Sequence, residues 1–315
     1  MYYIGIDLGG TNIAAGIVDE NYKIIKKDKV PTNAKRPADE ITKDMAALCA
    51  KLVKDCNLTI DDIAYAGIAA PGTANRDLGE IEYANNLPYL HYPIAAKLME
   101  YFPVKAVHID NDANAAAKGE AIAGAAKGVG TSVMITLGTG VGGGVVIDGN
   151  VYSGFNFAGA EMGHIVIKVN GRPCSCGRKG CWEAYSSATG LINMTKEKME
   201  EYKDSKMWEV AETLEKVDGM TAFKAMRMGD KPAAEVVDFY IRCLADGLLN
   251  VINIFQPEIL TIGGGICNEG DNLLVPLLKY CGCDEKGYSK DKKTQIKIAE
   301  LGNDAGIIGA AVLGL

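Results

Sequence analysis

Apolar residues crowd positions 3–7 and 12–18, and the two runs meet at a glycine pair; together with residues 22–30 they predict three successive strands. "DEITKDMAALCAKLVKDC" follows with its apolar residues at helical spacing, so a helix comes after the strands and the pattern is that of an α/β layer. "IAYAGIAAPG" and "KAVHIDND" are short apolar runs ending in turn residues or acids, as strands do when their carboxyl ends line a site. "ANAAAKGEAIAGAA" turns helical from Ala113. Residues 131–151 form another strand pair, 231–255 a long helix and 258–262 a strand, and "DAGIIGAAVLGL" is a terminal helix of small residues. The charged run "TKEKMEEYKDSK" is that of an exposed helix.

Within this pattern one unit occurs twice. At a constant offset of 129, "DLGGTNIAAGIVDEN" lies on "TLGTGVGGGVVIDGN", matching Leu8 to Leu137, Gly9 to Gly138, Asp19 to Asp148 and Asn21 to Asn150. Each copy is a strand, a Gly/Thr turn and a second strand. A turn without side chains can present backbone N–H groups to a phosphate, although a glycine hairpin can also be an ordinary tight turn. Gly138, Gly140 and Gly143 satisfy G-x-G-x-x-G, but a dinucleotide-binding fingerprint must open a helix and this one runs into a strand. The P-loop pattern is absent.

At 315 residues, with 48% hydrophobic and 23% charged residues, the chain can bury a sizeable core, and two domains are the default expectation. A formal net charge of -7 with dispersed Lys and Arg leaves no basic stripe for nucleic acid. Neither a signal peptide nor a membrane span is visible, so the expected location is cytoplasmic. Nine cysteines is an odd number, and Cys49, Cys56, Cys243 and Cys267 sit singly among apolar residues, so a disulfide framework is not expected.

Three further cysteines form C-x-C-x₄-C, with a histidine ten residues upstream. Three thiolates and an imidazole from His164, Cys174, Cys176 and Cys181 fill a tetrahedral Zn²⁺ site and leave no position for a catalytic water. A redox pair and a hydrolytic zinc centre are the weaker alternatives, because C-x-C is not C-x-x-C and all four positions are taken. Asp110 and Asp112 both end a strand, and Asp112 opens the helix, where an acid can serve simply as a cap.

"GIDLGGTN", "NDANAAAKGE", "LGTGVGGG", "GAEMGH", "CSCGRKGCWE" and "PEILTIGGGI", in this order over nearly the whole length, resemble the ROK family of sugar kinases, most of all its bacterial glucokinases. The resemblance implies a two-domain actin/hexokinase-like α/β fold of ribonuclease H type, with a central cleft and a zinc-bound loop. It sets a smaller domain at 1–113 plus 303–315 and a larger one at 114–302, and implies a homodimer or homotetramer. Transfer of the γ-phosphate of MgATP to the 6-hydroxyl of glucose follows from the same resemblance, and so do the roles of the site residues. Asp112 matches the general base, while Gly72, Asn86, Asn111, Glu161, His164 and Glu183 match sugar-binding positions, with Pro71 beside Gly72. Asp7, Gly9, Gly10, Thr11 and Asn12 match the first phosphate turn, with Asp7 acting on Mg²⁺ through water. Gly138, Thr139 and Gly140 match the second turn, and Gly263, Gly264 and Gly265 the adenine region. His164 would then serve zinc with one ring nitrogen and sugar with the other.

Ala160 stands where the family commonly has glycine, and its methyl beside Glu161 could narrow the pocket. Kinases for N-acetylmannosamine, N-acetylglucosamine, fructose and allose share nearly all of the motifs. Some relatives are sugar-responsive repressors carrying an N-terminal winged helix-turn-helix. Here Asp7 comes six residues after Met1, which favours an enzyme over a sugar-binding regulator lacking catalysis.

Overall fold

The computed structural model describes residues 1–282 and 293–315; positions 283–292 of the expected larger domain lie outside the described residues. The chain begins with β1 (Tyr2–Leu8), β2 (Asn12–Asp19), β3 (Ile24–Pro31), α1 (Ala38–Asp55) and β4 (Ile63–Ala70). A small sheet of β5 (Thr73–Asn75), β6 (Glu80–Tyr83) and β7 (Leu90–Tyr92) follows, then α2 (Ile94–Tyr101), β8 (Val107–Asn111) and α3 (Asp112–Ala123). Next come β9 (Thr131–Leu137), β10 (Val141–Ile147), β11 (Asn150–Tyr152), α4 (Glu183–Ser186), α5 (Ala188–Glu201), α6 (Met207–Ala211), α7 (Thr221–Arg227) and α8 (Lys231–Phe255). The chain closes with β12 (Ile259–Gly263), α9 (Asp271–Cys281), β13 (Gln295–Ile298) and α10 (Ala305–Ala311).

Two five-stranded sheets have the same order, β3-β2-β1-β4-β8 and β11-β10-β9-β12-β13. In the first, β1, β2 and β3 are antiparallel neighbours, while β4 and β8 add in parallel. The second repeats this at its edges, with β10 and β11 antiparallel and β12 and β13 parallel. The sequence offset of 129 carries Tyr2–Leu8 onto Thr131–Leu137, so the internal repeat is the first two strands of each sheet.

By contacts, Met1–Met134, Gly144–Ala160 and Ala299–Leu315 form one compact unit, and Ile135–Gly143 with Glu161–Ile298 form the other. The sequence set its boundary at Ala113, whereas α3 and the chain to Met134 group with the first unit. The reason is close packing by small residues. A Cβ on Gly119 would lie 3.0 Å from the Gly309 backbone, and one on Gly144 would lie 2.5 Å from the Ala117 Cβ. Side chains larger than these would drive the elements apart.

In the first unit, one sheet face packs Ile4, Ile6, Leu8 and Ile68 against α1 and α2 through Ile41, Met45, Leu52 and Leu98. Each isoleucine or leucine so buried contributes roughly 1.5–3 kcal/mol relative to exposure. Helix α10 packs on the opposite face almost backbone to backbone. A Cβ at Gly5 or Gly67 would fall 1.8 Å from the Ile307 or Ala310 carbonyl oxygen. In the second unit, Trp182 is fully buried against Gly247 of α8, and the Tyr240 hydroxyl of that helix donates 2.9 Å to the Ser186 carbonyl. No helix among the described residues is long and apolar enough to cross a membrane.

Candidate functional site

The first unit assembles its polar residues where β1, β4 and β8 end. Gly9 N–H donates 3.0 Å to the Asn12 carbonyl and closes the first glycine turn. Thr32 braces the turn from outside, its hydroxyl donating 2.6 Å to the Gly9 carbonyl and its N–H 2.9 Å to that of Thr11. Asn86 lies beside Gly10, its Cβ 3.9 Å from where a Gly10 Cβ would stand. Gly72 adopts φ +93, and a Cβ there would meet the Tyr83 carbonyl oxygen at 2.0 Å. Its own carbonyl accepts from the Asn111 side chain at 3.0 Å.

Asn111 also caps α3, its Oδ1 accepting from the N–H groups of Ala113 and Asn114. Asp112 is therefore the first residue inside the helix, and the simple capping role considered for it belongs to its neighbour. The two acids of "HIDND" differ sharply. Asp110 is 3% exposed, accepts from the Asn114 amide at 2.9 Å and the Asn111 N–H at 2.7 Å, and stands 3.7 Å from Arg76. It is a sealed acid, raised by burial. Asp112 remains open to solvent, yet the protein around it strips enough water to raise its carboxyl above the usual range, opposed by the Ala113 N–H at 2.8 Å.

Asp7 ends β1 nearby. Burial, and then the charge of Asp112, push its carboxyl up to about 6. Gly306 packs directly on it, since a Cβ there would lie 2.5 Å from the carboxylate. Among the described residues the Asp7 carboxylate accepts no hydrogen bond and meets no cation. A partly buried acid in that condition suits a divalent cation reached through water, so Asp7 fits Mg²⁺.

The second unit carries the other glycine turn. Gly138 N–H donates 3.0 Å to the Gly140 carbonyl, and the turn is braced as the first is. Ala188 N–H donates 2.9 Å to the Gly138 carbonyl, and the Thr189 hydroxyl donates 2.7 Å to that of Thr139. Gly264, at φ +107, crosses β9 so closely that a Cβ would lie 2.1 Å from the Leu137 carbonyl oxygen. Beside it a cavity of about 780 Å³ is lined by Gly138, Thr139, Ala188, Gly219, Met220, Gly265, Ile266, Asn268 and Asn272, with the Arg227–Glu269 ion pair at its wall. Gly263, the last residue of β12, is buried, so Gly265 and not Gly263 faces open space.

The cysteine cluster belongs to the same unit. His164, Cys174, Cys176 and Cys181 place one ligand atom each within 4.8 Å of all the others. The His164 Nδ1 lies 3.6 Å from the Cys174 sulfur, and the sulfurs of Cys176 and Cys181 are 3.6 Å apart. Tetrahedral bonds of about 2.0–2.3 Å to zinc require edges of about this length, so the four residues fit the ion. Gly177 and Gly180, at φ +85 and +82, turn the loop back on itself. Arg178 donates to the His164 carbonyl at 3.1 Å. Glu183 stands beside the cluster, with Ser175 3.5 Å from its Oε1, and its Oε2 accepts from the Val141 N–H at 3.0 Å. Glu161, three residues before His164, is exposed, and Ala160 before it adopts φ +65.

Sequence reasoning missed the braces Thr32, Ala188 and Thr189, and the α7 wall of the cavity. The braces carry no motif, because any hydrogen-bonding group placed there by the tertiary fold would serve. Asn268 was within reach, three residues beyond the glycine run.

A duplicated α/β protein thus has, in one unit, an accessible helix-opening acid beside a second acid and, in the other, a glycine turn bordering a large cavity and a His/Cys cluster with the spacing to hold a metal ion. The chain belongs to the ROK family, whose model matches residues 3–315. It is 36% identical to a glucokinase of Halalkalibacterium halodurans over 99% of this chain and 94% of that one. A Thermotoga maritima glucokinase is likewise 36% identical, over 98% and 95% of the two chains. Among solved structures, a ROK family glucokinase from Streptomyces griseus, in complex with glucose and AMPPNP, superposes with a TM-score of 0.82 at 32% identity and covers 99% of both chains.

Proposed function

We propose that this protein is an ATP-dependent sugar kinase that transfers the γ-phosphate of ATP to the 6-hydroxyl of glucose. The observation that carries this reading is the state of Asp112: an acid open to solvent, raised by desolvation and seated at the first turn of α3, while neighbouring Asp110 is sealed. A general base works best when its pKa is lifted toward the working pH. Asp112 accepts the proton of the attacking hydroxyl, and Asn111, Gly72 and Asn86 shape the surface beside it. Glu161, His164 and Glu183 bind further sugar hydroxyls. His164 faces the cluster with Nδ1, which leaves Nε2 for the sugar.

The first turn, Gly9 to Asn12, and the second, Gly138 to Gly140, offer N–H groups to the phosphates, and the cavity at Gly265 takes the adenine. Asp7 would hold Mg²⁺, and the ion would supply the charge neutralisation that, with positioning, accounts for most of the catalysis of phosphoryl transfer. His164, Cys174, Cys176 and Cys181 would hold zinc, which would supply a rigid frame for the loop bearing Glu183. This reading sets the protein in the cytoplasm, where ATP and a free hexose meet; the resemblance of the motifs supports a homodimer or homotetramer.

A coupled assay with ATP over glucose, fructose, N-acetylglucosamine and N-acetylmannosamine tests the reading. Glucose should give the highest kcat/KM, and Asp112→Asn should lose about 10²–10⁴-fold in kcat with sugar binding retained. If a different sugar led the panel, the glucose assignment would fall. No turnover with any sugar would turn the protein into a sugar-binding regulator.

A further inference from the structure

Val141, the first residue after the second glycine turn, is held on two sides by residues that belong to the metal-ligand region. Its N–H donates to Glu183 at 3.0 Å. Its carbonyl oxygen lies against the bare Cα of Gly163, where a Cβ would stand 2.2 Å away. Gly163 immediately precedes the ligand His164, and Glu183 comes two residues after the ligand Cys181. The other oxygen of Glu183 returns to the cluster, 3.5 Å from the Ser175 hydroxyl and 3.9 Å from the Cys174 sulfur. Gly140 meets the same carboxylate, since a Cβ on it would stand 2.2 Å from Oε2. Both arms of the cluster therefore converge on one residue at the exit of the turn, Val141.

We infer that Glu183 and Gly163 couple the metal cluster to the Gly138–Val141 turn, so that metal occupancy sets the grip of this turn on the nucleotide phosphates. Glu183 is a positioning residue in this role, in addition to its place at the sugar. The physical reason is that a turn with glycine at two of its three positions has little of its own to fix its shape; α5 braces the Gly138 and Thr139 carbonyls, the Gly138 N–H holds the Gly140 carbonyl, and the carboxylate with the Gly163 contact holds Val141. Losing the acceptor leaves the Val141 N–H without a partner and frees the turn to splay.

The inference rests on reading this turn as a phosphate cradle, and its test separates the two claims. Hydrogen exchange across residues 136–145 is followed in zinc-loaded protein, in protein stripped by a chelator, and in zinc-loaded Glu183→Ala whose metal content has been verified. Binding of a non-hydrolysable ATP analogue and of adenosine is measured on the same three samples without sugar. Stripping and Glu183→Ala should each speed exchange at Val141 by at least about tenfold while α8 amides stay protected, and weaken the ATP analogue by about tenfold with adenosine nearly unchanged. Unchanged exchange at Val141 on zinc removal overturns the coupling, whatever binds. Faster exchange in a protein that never binds the ATP analogue upholds the structural coupling and sinks the phosphate assignment. Equal losses for the analogue and adenosine also overturn the inference, because they report general loosening.

Discussion

The carboxylate of Asp112 raises that of Asp7. Its negative charge adds to burial, and together they push Asp7 from 3.8 up to about 6. An acid whose folded pKa exceeds its unfolded value favours the fold while protonated. That contribution is complete below 3.8 and is lost as pH rises through about 6. Asp7→Asn should then match the wild type in stability at pH 4 and exceed it at pH 8 by on the order of 2 kcal/mol in cation-free buffer. Added Mg²⁺ should close the gap by stabilising the wild type alone. Thermal unfolding from pH 4 to 8 measures it; a variant less stable than wild type at pH 8 without cation would contradict the pairing. Activity should be lost in the variant at every pH.

Cys176 is the exposed member of the cluster, and the N–H of Arg178 lowers its thiol, whereas burial pushes the Cys181 thiol up to about 12. Cys176→Ser removes a ligand with little loss of packing. Zinc affinity should fall by more than the roughly 10–100-fold that loss of an outer-shell partner causes, and glucose affinity should fall with it. Metal analysis and calorimetry check both, and full glucose affinity in zinc-free protein would show that the cluster does not frame the sugar.

Gly265 opens onto the cavity of about 780 Å³, and a Cβ there meets nothing within 4 Å. Gly265→Leu should fold with a nearly unchanged Tm and raise the KM for ATP by about tenfold or more while the KM for sugar holds. Equal changes in both constants would place the adenine elsewhere.

Ala160 adopts φ +65, a region that suits glycine and strains alanine by about 1–2 kcal/mol. Ala160→Gly relieves that strain and adds freedom to the unfolded chain, so the net gain in stability should be about 0.5–1 kcal/mol. Denaturant unfolding reads the difference. A loss of stability would mean that the methyl packs usefully where it stands. The glucose to N-acetylglucosamine kcat/KM ratio, measured on the same pair, reports whether the methyl shapes substrate choice.

Much of this architecture was legible in the chain. The duplication appeared as an offset of 129 and returned as two sheets of one order. Helical spacing located α1 and α8, and the cysteine spacing located a ligand set whose donor atoms do converge. The sequence favoured Asp112 over Asp110 because it opens the helix and matches the family motif, but it could not show how differently the two acids are surrounded. Burial and hydrogen bonds separate them, and those depend on Arg76 and Asn114 arriving from other elements. The contact units also divide elsewhere than at Ala113, and the reason is physical. A helix of small residues can pack on either neighbour, and only the facing Gly309 and Gly144 show which one it meets.

By itself the sequence determined the local conformations, the repeat and the chemical types at each motif, since these follow from period, turn chemistry and ligand spacing along the chain. The tertiary structure alone decided which acid is open, how the turns are braced and why Val141 is held by Glu183. Most of those relations join residues dozens of positions apart, as Arg76 to Asp110, Thr189 to Thr139 and Glu183 to Val141 do, and no local preference encodes the distance between them.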